Sequence, residues 1–282
     1  MAYKDLLLQL SSYPEATPPA AVEQAVSFAG LFEAQVTALT FEIEFHVRAN
    51  PLALAVVDLL GMAAAERSKS IDNARDLTRA LDDIAARLNV GSNCIVERSQ
   101  TSQVPGIVTE YARLRDLTII PVGESSGLQH QIAESVIFGS GRPVLVVPEA
   151  PKSAETIVLD TVGVAWDFSR PAARAIADAL PLLQRARSVR AVTITNEKTI
   201  VARRAGSELV RHLACHGVEV VFEEEDAGGR SVGQALEAYA DARNLDVLVM
   251  GAYGHSRVRD FILGGATKSI VASPPLPVLL SH

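Results

Sequence analysis

The chain repeats itself. Asp116-Leu-Thr-Ile-Ile-Pro-Val leads through a loop and a helical stretch to Ser135 and then Pro143-Val-Leu-Val-Val. Asp246-Val-Leu-Val-Met leads the same way to Ser269 and then Pro277-Val-Leu-Leu. Serine and proline stand eight residues apart in both copies. The starts agree as well: Leu6-Leu-Leu-Gln-Leu runs to Pro19-Ala-Ala-Val-Glu-Gln-Ala, and Val162-Gly-Val-Ala-Trp runs to Pro171-Ala-Ala-Arg-Ala-Ile-Ala. Such self-similarity settles the architecture before any single residue does, because whatever one half folds into, the other must too. A length of 282 residues suits two units on the usual prior of roughly 100–200 residues each.

Within each half, short apolar runs alternate with helical patterns. The runs 4–10, 36–43, 92–98, 117–122 and 143–147, then 156–165, 189–195, 218–223, 246–250 and 277–280, are short and nearly all apolar. That is the signature of strands buried in a parallel sheet. Helical patterns lie between them, among them 52–88 and 172–186. The alternation predicts an α/β protein: two tandem doubly wound parallel-sheet domains, Rossmann-like, packed as a pseudo-dimer. The expected domains are 1–150 and 155–282, joined by Pro148-Glu-Ala-Pro-Lys-Ser-Ala-Glu155, where two prolines interrupt the pattern. The stretch 52–88 exceeds what one crossover needs. It reads as one helix or as two broken near Gly61, covering either the first half's cleft or an interface.

Composition narrows the function. Apolar residues make up 48% of the chain, enough for a large core, and a net charge of −7 without basic runs argues against nucleic acid as a partner. Two cysteines, Cys94 and Cys215, are too few for a disulfide framework, which points to a reducing compartment. The N-terminal residues lack a signal-peptide pattern, and no apolar run is long enough to span a membrane. The expectation is a cytoplasmic protein with no membrane partner.

The chemistry concentrates near the C-terminus. The run ending at Met250 is followed by Gly251, Gly254, nine residues, and Gly264-Gly265-Ala266-Thr267. Strand, glycine-spaced loop and helix start bring backbone N–H groups, unshielded by a Cβ, to where anionic phosphate oxygens could sit. The first strand of that half ends Ala165-Trp166-Asp167, so a carboxylate lies at the same sheet edge, where doubly wound folds bind ligands.

The pattern G-x-x-G, nine residues, G-[S/T], with an Asp closing the first strand, resembles the ATP-binding kind of universal stress protein. The resemblance covers nearly the whole chain as two copies, strongly in the second half and faintly in the first. It implies Ala165 and Asp167 at the base and ribose, and Ile194, with Val192 as the alternative, beneath the adenine. It further implies Met250 and Gly251 at the ribose, Gly254 at the phosphates, and Gly264, Gly265, Ala266 and Thr267 at the helix N-terminus. The implied ligand is ATP or AMP, with or without Mg. Gly265 departs from the pattern, which has serine or threonine there; the missing hydroxyl removes a hydrogen bond worth about 1.5–3 kcal/mol to a charged group.

The first half lacks these features. Asp116 to Ser135 is 19 residues against 23 from Asp246 to Ser269, and the shortfall falls in the loop, Gly123-Glu-Ser-Ser-Gly127. Glu124 stands where phosphates would come, and Ser11 or Ser12 stands near the place of Asp167. This half is expected not to bind ATP in that manner and to serve as a folded partner.

Other clusters are weaker. His212, Cys215 and His216 share a helix face, yet Gly217 reads as a helix stop and no fourth metal ligand is evident. Arg257 and Arg259, after His255, are either phosphate contacts or solvated loop residues. Gly264-Gly-Ala-Thr-Lys-Ser269 lacks Walker spacing, and no G-x-S-x-G elbow occurs. Glu223-Glu-Glu-Asp226 reads as a solvated loop after a strand. No general base is apparent, so the reading is a stress-response protein that binds an adenine nucleotide in its second half and signals by conformation to a protein partner, with slow hydrolysis at most. Association into a further homodimer stays open. A second reading is an interaction or scaffold module without nucleotide, or a carrier of another small ligand. A third is a nucleotidyl-transferring enzyme.

Overall fold

The computed structural model describes residues 2–46, 58–123, 127–150, 156–196, 205–252 and 265–282. Ten strands form one sheet in the order β3-β2-β1-β4-β5-β10-β9-β6-β7-β8. The first five are β1 (Asp5–Gln9), β2 (Gln35–Ile43), β3 (Ser92–Ser99), β4 (Leu117–Val122) and β5 (Val144–Pro148). The second five are β6 (Thr161–Ala165), β7 (Ser188–Thr195), β8 (Val220–Asp226), β9 (Val247–Gly251) and β10 (Val278–Ser281). Every neighbouring pair is parallel except β5 with β10, which meet antiparallel. Each predicted run therefore became a strand, and the two halves share one hydrogen-bonded ladder.

Helices cover both faces. On one lie α1 (Pro19–Leu31), α2 (Leu59–Leu88), α5 (Arg170–Leu183) and α6 (Ala205–Cys215); on the other, α3 (Val104–Ala112), α4 (Gly127–Gly139), α7 (Val232–Arg243) and α8 (Gly265–Ala272). Each face buries one apolar cluster drawn from both halves, with Leu6, Phe28, Val164 and Leu279 in one and Leu7, Ile120, Leu248 and Val278 in the other. Alternate residues of one strand thus feed opposite layers, as a period of two demands. The halves are also pinned at their rims. The Tyr3 hydroxyl donates to the Asp178 carbonyl at 2.6 Å, and Arg185 sits 5.2 Å over the Phe32 ring.

The repeat holds down to single hydrogen bonds. The Asp116 carboxylate accepts from the Lys4 and Asp5 amides at 2.8 and 3.1 Å, and the Asp246 carboxylate accepts from the Thr161 amide at 2.7 Å. In return the Asp116 amide donates to the Asp5 carbonyl and the Asp246 amide to that of Thr161, both at 2.9 Å. Asp5 therefore matches Thr161, and counting along both strands matches Leu10 with Trp166 and Ser11 with Asp167. The bonds from the Leu10 amide to Leu39 and from the Trp166 amide to Val192 agree with that register.

Two readings are settled by the fold. The helix α2 runs without a break through Gly61, whose amide donates to the Asp58 side chain at 2.8 Å; residues 52–57 lie outside the described ones. Its Leu77, Leu81 and Ile84 pack into the core beside α1, and its Ser70 reaches the sheet's carboxyl edge. The acidic run Glu223–Asp226 is not a loop. It forms most of β8, an outermost strand, where charge discourages pairing with another sheet.

Candidate functional site

In the second half the chain leaves β6 for β7 on one side and β9 for β10 on the other, so the carboxyl ends of β6 and β9 part to form a crevice. Ala165 ends β6, paired with Met250 on one flank and Val192 on the other. These three, with Ile194, share the face toward α7 and α8. Val192 and Met250 are buried; Ala165 and Ile194 are only half-buried, and so are the apolar groups a ligand in the crevice could touch.

Asp167 lies two residues past β6. Its Oδ1 accepts from the Ser169 amide at 3.0 Å, a local turn that holds the carboxylate at the crevice mouth. The Ser169 hydroxyl in turn caps α5, accepting from the Ala172 amide at 3.1 Å. The sequence reading missed this cap, although serine before Arg170-Pro171 is its usual signal.

Gly251, the last residue of β9, has a reason of its own to be glycine. A Cβ there would stand 2.4 Å from the Ala172 amide nitrogen and 2.6 Å from the Pro171 carbonyl carbon. Only the bare backbone lets β9 approach the first turn of α5. Beyond Ala252, residues 253–264 fall outside the described ones, and with them Gly254, Gly264, His255, Arg257 and Arg259. The chain is described again at Gly265, which opens α8 and is exposed, with no described residue within 4 Å of where a Cβ would stand. Ala266 follows it, then Thr267, which is buried and engaged within the protein. Ala165, Asp167, Met250, Gly251 and Ile194 thus gather at one sheet edge, while Gly265, Ala266 and Thr267 form the start of α8.

The upstream counterpart is built differently. Ser11 takes the place of Asp167, and its amide donates to the Thr17 hydroxyl at 2.8 Å. The buried Ser12 hydroxyl donates to the Phe41 carbonyl and lies 3.0 Å from the Ser70 hydroxyl, while Asn73 donates to the Ser12 carbonyl at 2.9 Å. Helix α2 therefore ties this turn down. Pro121 stands where β9 has Gly251, and four residues separate β4 from α4 where thirteen separate β9 from α8. A cleft of about 1050 Å³ remains between the halves, lined by Pro14, Pro18, Val122, Gln129, Glu149 and Glu237 among others. Burial pushes the Glu149 carboxyl above its ordinary pKa.

The remaining clusters sit on α6 and β8. The rings of His212 and His216 meet edge-to-face at 4.9 Å, Cys215 is exposed, and Gly217 closes the helix with φ of 75°. Among the described residues, no three acidic, histidine or cysteine side chains are grouped to hold a metal. On β8, Glu223 accepts from Arg243 at 2.6 Å, from Arg190 at 3.1 Å and from the Tyr239 hydroxyl. Partial burial works against its charge, but these donors hold its carboxyl below the usual range.

Comparison with known proteins agrees with this architecture. The whole chain resembles in fold a universal stress protein from Archaeoglobus fulgidus DSM 4304, with TM-score 0.72 and 14% identity over 98% of this chain and 96% of that one. It also resembles the cytoplasmic domain of a prokaryotic cation chloride cotransporter, with TM-score 0.53 and 12% identity over 99% and 95% of the two chains. Universal stress protein Slr1230 of Synechocystis sp. (strain ATCC 27184 / PCC 6803 / Kazusa) is 41% identical over 51 residues. That match spans 17% of this chain and only 18% of that protein. Among the described residues no helix is long and apolar enough to cross a membrane. Residues 159–282, from the approach to β6 to the last residue, match the model of the Universal stress protein family, so the second half carries one such domain.

Proposed function

We propose that the crevice between β6 and β9 binds an adenine nucleotide, ATP or AMP, and that the protein acts in a stress response through that binding. The observation that carries the reading is the convergence of Ala165, Ile194 and Asp167 at the switch point, within a half that matches the Universal stress protein family model. The half-exposed Ala165 and Ile194 offer an apolar bed for a purine, and Asp167 offers an acceptor for a base amino group or a ribose hydroxyl. Met250 and Gly251 close the floor near the ribose. Gly254, Gly264, Gly265, Ala266 and Thr267 take the phosphates, with Mg as an optional companion.

In this reading the chain comprises two domains, 1–150 and 155–282, and only the second holds nucleotide. Ser11 in place of Asp167 removes the carboxylate acceptor for the base or ribose, the shortened loop removes backbone donors for phosphate, and the acidic Glu149 beside the upstream cleft disfavours an anion there. Signalling then runs by conformation to a protein partner rather than by turnover.

The test is calorimetric titration of the purified protein with ATP and AMP, alongside extraction of any adenylate that co-purifies. One site per chain is expected. Two sites would sink the asymmetry, and none would favour a scaffold module.

A further inference from the structure

Behind the sheet, on the side away from Ala165 and Ile194, a cleft of about 460 Å³ opens between α5 and α6. Its walls are Trp166, Phe168, Ala173, Ile176 and Leu209, and its rim carries Glu208, Arg211, His212 and Cys215. Trp166 reaches this side because side chains alternate along β6, so that Ala165 faces one layer and Trp166 the other. In the first half, Leu77, Leu81 and Ile84 of the long α2 belong to the same core cluster as Val22 and Phe28 of α1.

Three features mark the cleft as more than a packing gap. Trp166 and Phe168 meet edge-to-face at 5.0 Å, forming an aromatic wall. Phe168 holds φ of 63°, a left-handed conformation unfavourable for a bulky residue, and the residue is still 38% exposed. The Trp166 indole N–H is shut away from water and has no acceptor among the described residues. A buried donor without a partner is rare and unfavourable, and an acceptor brought to it recovers the lost bond.

We propose that this cleft is a second ligand site, which takes a small bicyclic, largely apolar molecule carrying one hydrogen-bond acceptor for the Trp166 indole N–H. The volume lies within the range of roughly 300–1,000 Å³ usual for small-molecule sites. A flat ring system stacks between Phe168 and Ile176, and its acceptor reaches the indole N–H, which is closed to solvent and so to the cleft in this structure, once the Trp166 ring turns. The ionic groups stay at the rim, where Arg211 is already paired with Glu208. The site stands whether or not the opposite crevice binds nucleotide.

Trp166 is the only tryptophan in the chain, so the ¹⁵N-labelled protein gives one indole N–H resonance. Titration with coumarin, a bicycle bearing a carbonyl, is expected to move that resonance downfield and saturably. Naphthalene, of like size but without an acceptor, is expected to bind about tenfold more weakly, the worth of one recovered hydrogen bond. Trp166→Phe should bring coumarin down to the affinity of naphthalene. Ala173→Phe, an addition at an exposed helix position, should fill the cleft and abolish binding of both without unfolding the chain. An indole resonance unmoved by millimolar coumarin, or undiminished binding by the Ala173→Phe protein, would overturn the proposal.

Discussion

Leu145 of β5 and Leu279 of β10 face each other across the antiparallel seam, and each is the other's counterpart in the repeat, two residues after Pro143 and Pro277. Val146 opposite Val278 and Val144 opposite Leu280 complete a pattern that maps onto itself when the halves are exchanged. The pseudo-twofold axis therefore passes between the two leucines. Both are fully buried. Truncation of either to alanine should cost about 2–5 kcal/mol, the usual range for a core leucine, and the two costs should be similar. Because the residues touch, the double variant should lose less than the sum. Urea unfolding measures all three, and a cost below about 1 kcal/mol at either position would show the seam to be loosely packed.

Asp116 and Asp246 hold the first residues of β1 and β6 by the same bonds. Asp246→Ala and Asp116→Ala should each lower stability by about 1–3 kcal/mol, since a partly buried amide loses its acceptor. Asparagine at either place keeps an acceptor oxygen and should recover part of the loss. A neutral alanine variant would mean that water replaces the carboxylate.

Gly251→Ala drives a Cβ into the backbone of Pro171 and Ala172, whereas Gly127→Ala meets nothing within 4 Å among the described residues. The first should destabilise the protein by about 1–3 kcal/mol, as overpacking does, and the second should be neutral within about 0.5 kcal/mol. Thermal unfolding without nucleotide separates them. Equal melting temperatures would contradict the close approach of β9 to α5.

Asp167→Ala and Gly254→Val address the proposed nucleotide site. Each should weaken ATP binding about tenfold or more, the worth of one charge-assisted hydrogen bond or of a blocked backbone approach. Gly127→Val in the other half should leave affinity unchanged. Titration calorimetry decides, and an unaltered dissociation constant for Asp167→Ala would remove that carboxylate from the site.

Glu223 and Tyr239 give opposite pH dependences. The Glu223 carboxyl lies below its ordinary pKa, so its contribution to stability is present above about pH 4.3 and fades as acid protonates the folded protein. Burial and the neighbouring Glu223 push the Tyr239 phenol up to about 12. Its contribution is full below about pH 10 and is lost as pH climbs through the folded value. Melting curves across pH should show Glu223→Gln flattening the acid limb and Tyr239→Phe the alkaline limb. Parallel profiles for variant and parent would sever the link.

What the sequence revealed follows from where apolar residues cluster. Strands such as β4 and β9 are apolar on both faces and stand out as runs, and the matched Asp116 and Asp246 give their register. The second half of β8 was hidden because Glu223, Glu224, Glu225 and Asp226 look like a loop; an edge strand tolerates charges that a central one does not. The antiparallel meeting of β5 and β10 leaves no mark in either strand, since both orientations bury the same residues. Asp167 could be placed from its position after a strand. The neighbouring cleft could not, because it depends on how far α6 stands from α5. Gly251 shows the reverse problem: one residue type answers both a ligand's approach and a helix's, and the letter alone cannot separate them.

The seam has one more consequence. If the halves were separate chains sharing this edge, they would sort by chance into like and unlike pairs, and many assemblies would hold two short-looped units or two long-looped ones. A single polypeptide with β5 bonded to β10 removes that lottery, so every molecule carries one of each, at fixed stoichiometry and at any concentration in the cell.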